Sequence, residues 1–221
     1  MILLASKSSG RLATLRAAGV EPLVRVSTVD EEAVLGELIQ RRRDAGLTAP
    51  SAAEQVQALA RAKALDVMAS TDPQEAEVVV GCDSMLEISG HVVGKPADAA
   101  QARERWQMMS GGTGTLHTGH FLVRTADGAI AEGVSSATIR FGSPTQTEIE
   151  AYIASGEPLW CAGAFTIDGL GGAFIEGIDG DPHGVVGISL PLLRRLLADL
   201  EVLWTDLWAP PPVSKPTGDA H

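Results

Sequence analysis

The sequence predicts an α/β protein built around a mixed sheet. Short apolar runs rich in β-branched residues alternate with segments that carry apolar residues at helical spacing. The chain has 221 residues, of which 45% are hydrophobic, and this is enough to form one sizeable core. No internal repeat or second linker is present. We therefore predict a single domain over residues 1–208 and a disordered, Pro-rich tail over residues 209–221, which has too little apolar content to pack.

The predicted elements follow from these patterns in chain order. Residues 2–5 form an apolar run, and the next helix ends at Gly19. Ser51 and Glu54 form a capping box at the start of another helix. Ser89-Gly90 marks a turn between two ribbons, and Pro144 suits the first position of a helix. We expect strands at 2–5, 23–27, 78–80, 116–123 and 137–141, and helices at 6–19, 51–67, 98–109, from 143 and 190–200. A polar connection is expected at 41–50, and a Gly-rich β segment at 162–178.

Composition excludes several classes of function. The formal net charge of −11 argues against binding of a nucleic-acid polymer, because backbone binding needs a basic face. The two cysteines, Cys82 and Cys161, lack metal-ligand spacing, which fits a reducing cytoplasm better than a zinc site or a disulfide scaffold. No apolar run reaches the length of a membrane span, and the first residues do not resemble a signal peptide. We therefore expect a cytoplasmic protein that binds no membrane.

The segment "ASKSSGR" lies where the first strand turns into a helix. Free backbone N–H groups at a helix N-terminus suit a phosphate, and Ser6 and Ser8 are small enough to leave them accessible. Arg11, one turn later, could add a bidentate contact. An ordinary Ser-capped helix with a surface arginine explains the same pattern.

A second set of charged residues lies at the predicted ends of elements. Asp83 follows the buried run 78–80, and a buried carboxylate is costly unless its charge is used. Magnesium is commonly held by one or two carboxylates and a substrate phosphate, whose remaining charge lysines would neutralise. The alternative is that Asp83 caps a turn and that the other members are solvated. The set comprises Asp30, Glu31, Lys63, Asp83 and Lys95.

Two further motifs give weaker indications of function than the charged residues do. Cys82 could act as a thiol nucleophile, but a cysteine within a strand is more often an inert buried residue. The "GLGG" segment near Gly169 lacks the spacing of a dinucleotide-binding fingerprint and opens no helix, so it predicts a tight turn.

Taken together, the motifs resemble those of the Maf family of nucleoside triphosphate pyrophosphatases, in the family's order and over residues 2–200. The family's "ASxSPRR", "DE", "LAxxKA", "GxDT" and "KP" correspond to residues 5–11, Asp30-Glu31, residues 59–64, residues 81–84 and Lys95-Pro96. Further matches are Ser110-Gly111, Thr118-Gly119, "YIASGEP" at 152–158, "AGAF" at 162–165 and "VVGISLPLL" at 185–193.

The resemblance implies a Maf/ITPase-like mixed sheet with flanking helices and a cleft between two lobes, often in a homodimer. It implies hydrolysis of a nucleoside triphosphate to the monophosphate and pyrophosphate, with Mg²⁺ or Mn²⁺ as cofactor. Asp83 would then be the general base, or would orient the water as a metal ligand, with Glu31 as the partner carboxylate for the metal. Substrate-binding positions would be Ser6, Ser8, Arg11, Lys63, Ser84, Lys95 and Asp168.

Three departures affect the base preference that the resemblance implies. Gly10 replaces one of the family's paired arginines, Ser84 replaces a threonine, and Asp168 replaces a glutamine. These are the specificity positions of relatives selective for dTTP and UTP, so we expect a broader use of triphosphates. The lost arginine also leaves a second hypothesis, a nucleotide-binding regulator of cell division that no longer hydrolyses its ligand.

Overall fold

A computed structural model describes residues 1–209, and the predicted tail lies outside these residues apart from its first member. One seven-stranded mixed sheet has the order β2-β1-β3-β5-β6-β7, with β4 paired to β3. The predicted α/β class is therefore confirmed. The strands are β1 (Ile2–Leu4), β2 (Leu23–Val24), β3 (Val78–Ile88), β4 (His91–Val93), β5 (Thr113–Arg124), β6 (Ile130–Phe141) and β7 (Ile175–Asp179).

Helices cover both faces of this sheet. They are α1 (Ser9–Ala17), α2 (Glu31–Asp44), α3 (Ala52–Met68), α4 (Ala99–Met109), α5 (Gln146–Ala154), α6 (Pro182–Val186) and α7 (Leu190–Asp199). Short 3₁₀ turns occupy Glu157–Trp160, Ala162–Ala164, Leu170–Phe174 and Trp204–Leu207. No helix within residues 1–209 has both the length and the apolar character needed to cross a membrane.

Strand β3 is the central strand and has two different partners along one edge. Its first residues pair in parallel with β1, where Leu4 is opposite Val80. Its last residues pair with β4, beginning at Leu86. Strand β5 covers the opposite edge over almost the whole length of β3. Residues 81–85 of β3 therefore have no strand partner on the β1 side, which leaves a gap in the sheet.

Three apolar clusters hold these elements together. One lies between the sheet and α7 and contains Leu15, Val80 and Leu193. The second lies under α3 and contains Phe121. The third surrounds Trp106 of α4, whose ring meets three other aromatic rings edge to face. The third cluster forms the core of a second lobe, which faces the lobe of α1 and α3 across the gap.

Several predicted elements were wrong in detail. The first four residues of the expected polar connection at 41–50 belong to helix α2, which was not predicted because it buries none of its residues and lacks an apolar stripe in the sequence. The Gly-rich segment 162–178 contains two 3₁₀ turns and joins the sheet only at β7, because its first part packs around the second lobe. Pro144 precedes helix α5, which is capped instead by Thr145 and Glu148. Strand β2 ends at Val24, and α6 was not predicted.

Candidate active site

The gap in the sheet exposes the middle of β3, where Asp83 and Ser84 lie. The sequence predicted that Asp83 ends a strand, and this was wrong because β3 continues to Ile88. The strand that ends there is β1, at Leu4, while the apolar run of β3 ends opposite it at Val80. Asp83 is nevertheless placed much as it would be at the end of a strand. Its backbone pairs with β5, and no strand pairs with it on the β1 side.

Helix α3 approaches the sheet very closely beside Asp83. A Cβ atom added to Gly81 would overlap the backbone oxygen of Ala60, and one added to Gly119 would lie 2.5 Å from the backbone oxygen of Val56. Gly119 is the cross-strand neighbour of Asp83. The two glycines therefore let α3 contact the strand backbones directly, and this close packing brings Lys63 of α3 within reach of Asp83.

Lys63 joins the two acids that the sequence singled out. Its Nζ lies 2.6 Å from Asp83 Oδ1 and 2.7 Å from Glu31 Oε1. Burial raises the pKa of Asp83, although the charges of Lys63 and Arg11 oppose the rise. Partial burial also disfavours ionisation of Glu31, but the hydrogen bond and charge of Lys63 outweigh it and lower the pKa of Glu31. One ammonium group thus lies between two different carboxylates.

Arg11 is held by three hydrogen bonds, one of which reaches Ser84, the residue after Asp83. Its Nε donates to the carbonyl of Gly187 at 2.8 Å, and its two terminal nitrogens donate to Ser6 Oγ at 2.9 Å and to Ser84 Oγ at 3.2 Å. The side chain is buried. A guanidinium carries five N–H groups, so three of them fix its position and two remain available to a ligand.

Ser84 is also part of a hydrogen-bonded chain that the sequence did not reveal. Its hydroxyl lies 2.8 Å from the hydroxyl of Thr118, which donates to the carbonyl of Gly184 at 2.8 Å. Thr118 is fully buried and lies opposite Ser84 in the β3–β5 ladder. The match at "TG" marked Thr118 in the sequence, but only the register of the strands gives its partner.

The two serines of the first loop serve α1 rather than point freely into the gap. Ser8 Oγ caps the backbone N–H of Arg11 at 3.3 Å, and Ser6 Oγ accepts from the backbone N–H of Ser8 at 3.2 Å. The capped-helix interpretation is therefore correct for Ser8. It leaves the N–H groups of Ser9 and Gly10, in the first turn of α1, without a partner within the helix.

Lys95 approaches the site from the second lobe. Its side chain is exposed, and its charge and that of Lys7 both help to lower the pKa of Glu31. Its backbone carbonyl accepts from Arg105 of α4 at 3.3 Å, so the loop after β4 is tied to the second lobe. Lys7 is a cation that the motif comparison did not mark, because its position in "ASKS" is variable in the family pattern.

Asp168 lies apart from this charged cluster. It is exposed and lines a cavity of about 360 Å³ against α1, with Ala13 and Thr14 on the other wall and His183 beside it. Gly10 belongs to the same side of α1 as Ala13 and Thr14, one turn earlier. Gly10 does not line this cavity itself, but a Cβ added to it would lie 3.1 Å from Val186, which does. None of the hydrogen bonds of Arg11 or Lys63 extends to Asp168.

Two buried groups near the site do not supply a nucleophile. Burial raises the pKa of Cys82 to about 11, so its thiol stays protonated. Burial lowers the pKa of His120 to about 4. His120 is opposite Cys82, and its Nε2 accepts the backbone N–H of Ser189 at 2.9 Å. A neutral His120 therefore helps to hold the start of α7.

The donor set fits a hard divalent cation that is completed by substrate. Within residues 1–209, no group of three or more His, Cys, Asp or Glu side chains could hold a metal ion alone. Glu31 and Asp83 do provide two carboxylates on either side of Lys63. Mg²⁺ is commonly bound by one or two carboxylates with water and phosphate oxygens, so these two residues are suitable ligands once triphosphate is present.

Comparison with known proteins agrees with this arrangement. The model of the family described as "Maf-like protein" matches residues 1–200. The chain belongs to this family. It is 52% identical over 209 residues to a Streptomyces coelicolor protein named nucleoside triphosphate pyrophosphatase, with 95% of each chain covered. Proteins of the same name from Mycobacterium sp. (strain JLS) and Salinispora tropica are each 49% identical, covering 94% and 98% of this chain and 97% and 91% of their own lengths.

Proposed function

We propose that this chain hydrolyses nucleoside triphosphates to nucleoside monophosphates and pyrophosphate. The observation that carries the proposal is a buried carboxylate, Asp83, fixed on a central strand beside the cations of Lys63 and Arg11, with Lys95 near its partner carboxylate Glu31. The relatives that share about half of its residues are named for this activity. A concave site with cations around one base-like carboxylate suits attack of water on a phosphorus atom.

The reaction breaks the bond between the α-phosphorus and the oxygen that bridges it to the β-phosphorus. Water attacks the α-phosphorus, its proton passes to Asp83, and pyrophosphate leaves with the bridging oxygen. The raised pKa of Asp83 makes it a stronger base than an exposed aspartate. A base must still be ionised to act, and the neighbouring charges of Lys63 and Arg11 favour the ionised form.

Several donors would bind the triphosphate from different sides. Arg11 is fixed by Gly187, Ser6 and Ser84, so its two remaining N–H groups present a preorganised charge to phosphate oxygens. The free N–H groups of Ser9 and Gly10 add neutral donors at the start of α1. Lys95 approaches from the other lobe.

We further propose that Mg²⁺ or Mn²⁺ binds at Glu31 and Asp83 together with the substrate. When bound, the cation would neutralise phosphate charge and polarise a phosphoryl oxygen. Each carboxylate contacts Lys63 through one oxygen, so its other oxygen would be available to hold the cation. Chelation with excess EDTA should therefore abolish activity, and full activity in EDTA would contradict the metal assignment.

The proposal extends to the setting of the enzyme. Acidic net charge and unpaired cysteines support a cytoplasmic enzyme acting on free nucleotides rather than on a nucleic-acid polymer. The homodimer that the family resemblance implies remains part of the proposal, and light scattering would test it. The alternative regulator would bind nucleotides without hydrolysis, but no feature of the site favours it, since Glu31, Lys63 and Asp83 are all in place.

The direct test is a product assay over a panel of nucleotides. Release of phosphate should depend on added inorganic pyrophosphatase, and two phosphates should then appear for each monophosphate formed. Phosphate release without the coupling enzyme would indicate cleavage at the γ-phosphorus and contradict the proposal. Binding without any turnover would instead support the regulator.

A further inference from the structure

A single carboxylate ties together the loop that carries Asp168. Glu157 Oε1 accepts from the hydroxyls of Tyr152 at 3.0 Å and Thr166 at 2.5 Å, and from the backbone N–H of Gly171 at 3.0 Å. Its Oε2 accepts from the backbone N–H of Leu170 at 3.0 Å. These four donors lie on helix α5 and on both sides of Asp168, so Glu157 closes residues 166–171 into one loop.

Glu157 makes these contacts as an ionised group. Burial alone would raise its pKa, but the hydrogen bonds from Thr166, Leu170, Gly171 and Tyr152 outweigh burial, and the pKa lies below its ordinary value. All four partners are neutral donors. Glu157 therefore differs from an ion-paired surface residue, since its charge is stabilised only by groups that belong to the loop and to the helix beneath it.

The loop is packed too tightly for side chains at its glycines. A Cβ added to Gly169 would lie 2.6 Å from Glu157 Oε2, and one added to Gly171 would lie 2.9 Å from the backbone nitrogen of Thr166. The Cβ at Gly171 would also overlap the hydroxyl of Tyr152. This close packing indicates that one loop conformation is selected, and that the Glu157 carboxylate is part of what selects it.

Asp168 lies between the two attachment points of this loop and lines the cavity beside α1. We propose that Glu157 is a positioning residue that holds Asp168 against this cavity and thereby sets the nucleotide selectivity of the enzyme. The inference rests on the proposed function. Glu157 itself contacts neither the cavity-lining residues of α1 nor the charged cluster at Asp83, so it acts only through the loop.

Two substitutions separate the contacts of Glu157. Glu157→Gln keeps an acceptor oxygen for up to three donors, but its amide N–H groups face the N–H of Leu170, and two donors cannot pair. Glu157→Ala removes all four acceptor contacts. We expect the alanine variant to show the larger effect and the glutamine variant an intermediate one.

Glu148 provides a matched control in the same lobe. Its carboxylate accepts from the backbone N–H of Thr145 at 2.7 Å and from the Thr145 hydroxyl at 2.8 Å, at the start of α5. Substitution of Glu148 therefore removes two hydrogen bonds, against four at Glu157, and Glu148 forms none with residues 166–171. Glu148→Gln and Glu148→Ala should affect stability alone.

The experiment combines amide hydrogen exchange with kinetics on the full chain. Exchange at Leu170 and Gly171 should become at least tenfold faster in both Glu157 variants and stay unchanged in the Glu148 variants. With ATP, GTP, CTP and UTP, the KM values of the Glu157 variants should rise about tenfold and by unequal factors. The kcat values should stay within about twofold, because the phosphate-binding residues are not touched.

The possible results separate this inference from the proposed function. Faster exchange with unchanged ratios of kcat/KM among the four nucleotides would overturn the positioning role, as would a fall in kcat alone, which indicates loss of folded enzyme. Unchanged exchange would also overturn it. If the wild-type chain hydrolyses none of the nucleotides, the proposed function fails, and the inference then depends on whether Glu157→Ala changes the ratios of their equilibrium dissociation constants.

Discussion

The two walls of the cleft are built in different ways. On the first wall, Asp83, Lys63 and Arg11 belong to β3, α3 and α1, and the side chains of all three are largely buried and fixed by contacts within 3.2 Å. On the second wall, Lys95 and Asp168 lie on loops and are exposed. Regular elements restrict side-chain position more tightly than loops. We infer that the first wall carries the chemistry and the second wall selects the nucleotide.

The strongest test of this division is at Asp83. Asp83→Asn should reduce kcat by roughly 10²-fold or more, because the amide cannot accept the proton of the attacking water. Nucleotide binding should stay within about tenfold. The measurement is single-turnover hydrolysis together with calorimetric binding. The control is Asp66→Asn. Asp66 lies on helix α3, and its carboxylate accepts from Ser27 and Thr28, so this variant should keep its kcat. Near-normal kcat in Asp83→Asn would remove this residue from the mechanism.

The close packing of α3 offers a second test of the first wall. Gly81→Ala should destabilise the protein by about 2 kcal/mol, because the added methyl overlaps the backbone of Ala60. It should also lower kcat, since Lys63 is displaced from Asp83. Urea unfolding and steady-state kinetics measure both effects. Gly36→Ala is the control, as nothing lies within 4 Å of its added Cβ, and it should not destabilise. If Gly81→Ala lost stability but kept its kcat, the position of Lys63 relative to Asp83 would not depend on the close packing of α3.

The second wall should respond in selectivity rather than in rate. A carboxylate only accepts hydrogen bonds and favours bases that present N–H groups, whereas a glutamine amide both donates and accepts. An unpaired buried polar group costs about 1–3 kcal/mol. Asp168→Gln should therefore shift kcat/KM toward UTP by about tenfold relative to GTP. A wild-type enzyme that already prefers dTTP and UTP, with no change in the variant, would show that Asp168 does not contact the base.

Replacement of Lys95 should have a smaller effect, seen in both KM and kcat. Its ammonium group is exposed, so solvent and salt screen its charge. Lys95→Ala should raise KM and lower kcat, each by roughly five-fold, and the effect should shrink at high ionic strength. Lys7→Ala tests the exposed lysine on the loop before α1, whose charge also acts on Glu31 and which the sequence did not mark. Equal kinetics for Lys95→Ala and wild type at low salt would contradict a contact with phosphate.

The neutral form of His120 should make the free energy of unfolding depend on pH. Its replacement should not change activity at neutral pH. Its pKa is about 4 in the fold against 6.5 for the free side chain, so the folded protein favours the neutral form. This stabilisation is present above pH 6.5 and is lost as the pH falls toward 4. Between pH 7.5 and 5 the loss should be about 2 kcal/mol. His120→Gln, which can still accept from Ser189, should remove this part of the pH dependence measured by urea unfolding.

The sequence determined the class of fold, the family and most members of the charged cluster. Short sequence patterns predicted the features that depend only on neighbouring residues. Ser51 and Glu54 do form the capping box of α3, and the apolar run at Val78–Val80 is a buried strand. The motifs at Arg11, Lys63 and Asp83 mark residues that the structure brings together.

Only the tertiary structure decided how these residues act on one another. The gap in the sheet arises from where β1 ends and β4 begins, and neither end is encoded near Asp83 itself. Lys63 reaches Asp83 because glycines on two different strands, Gly81 and Gly119, admit helix α3. Thr118 and Glu157 acquire their partners through contacts distant in sequence or across the sheet. Such contacts depend on strand register and loop closure, which a residue pattern along the chain does not specify.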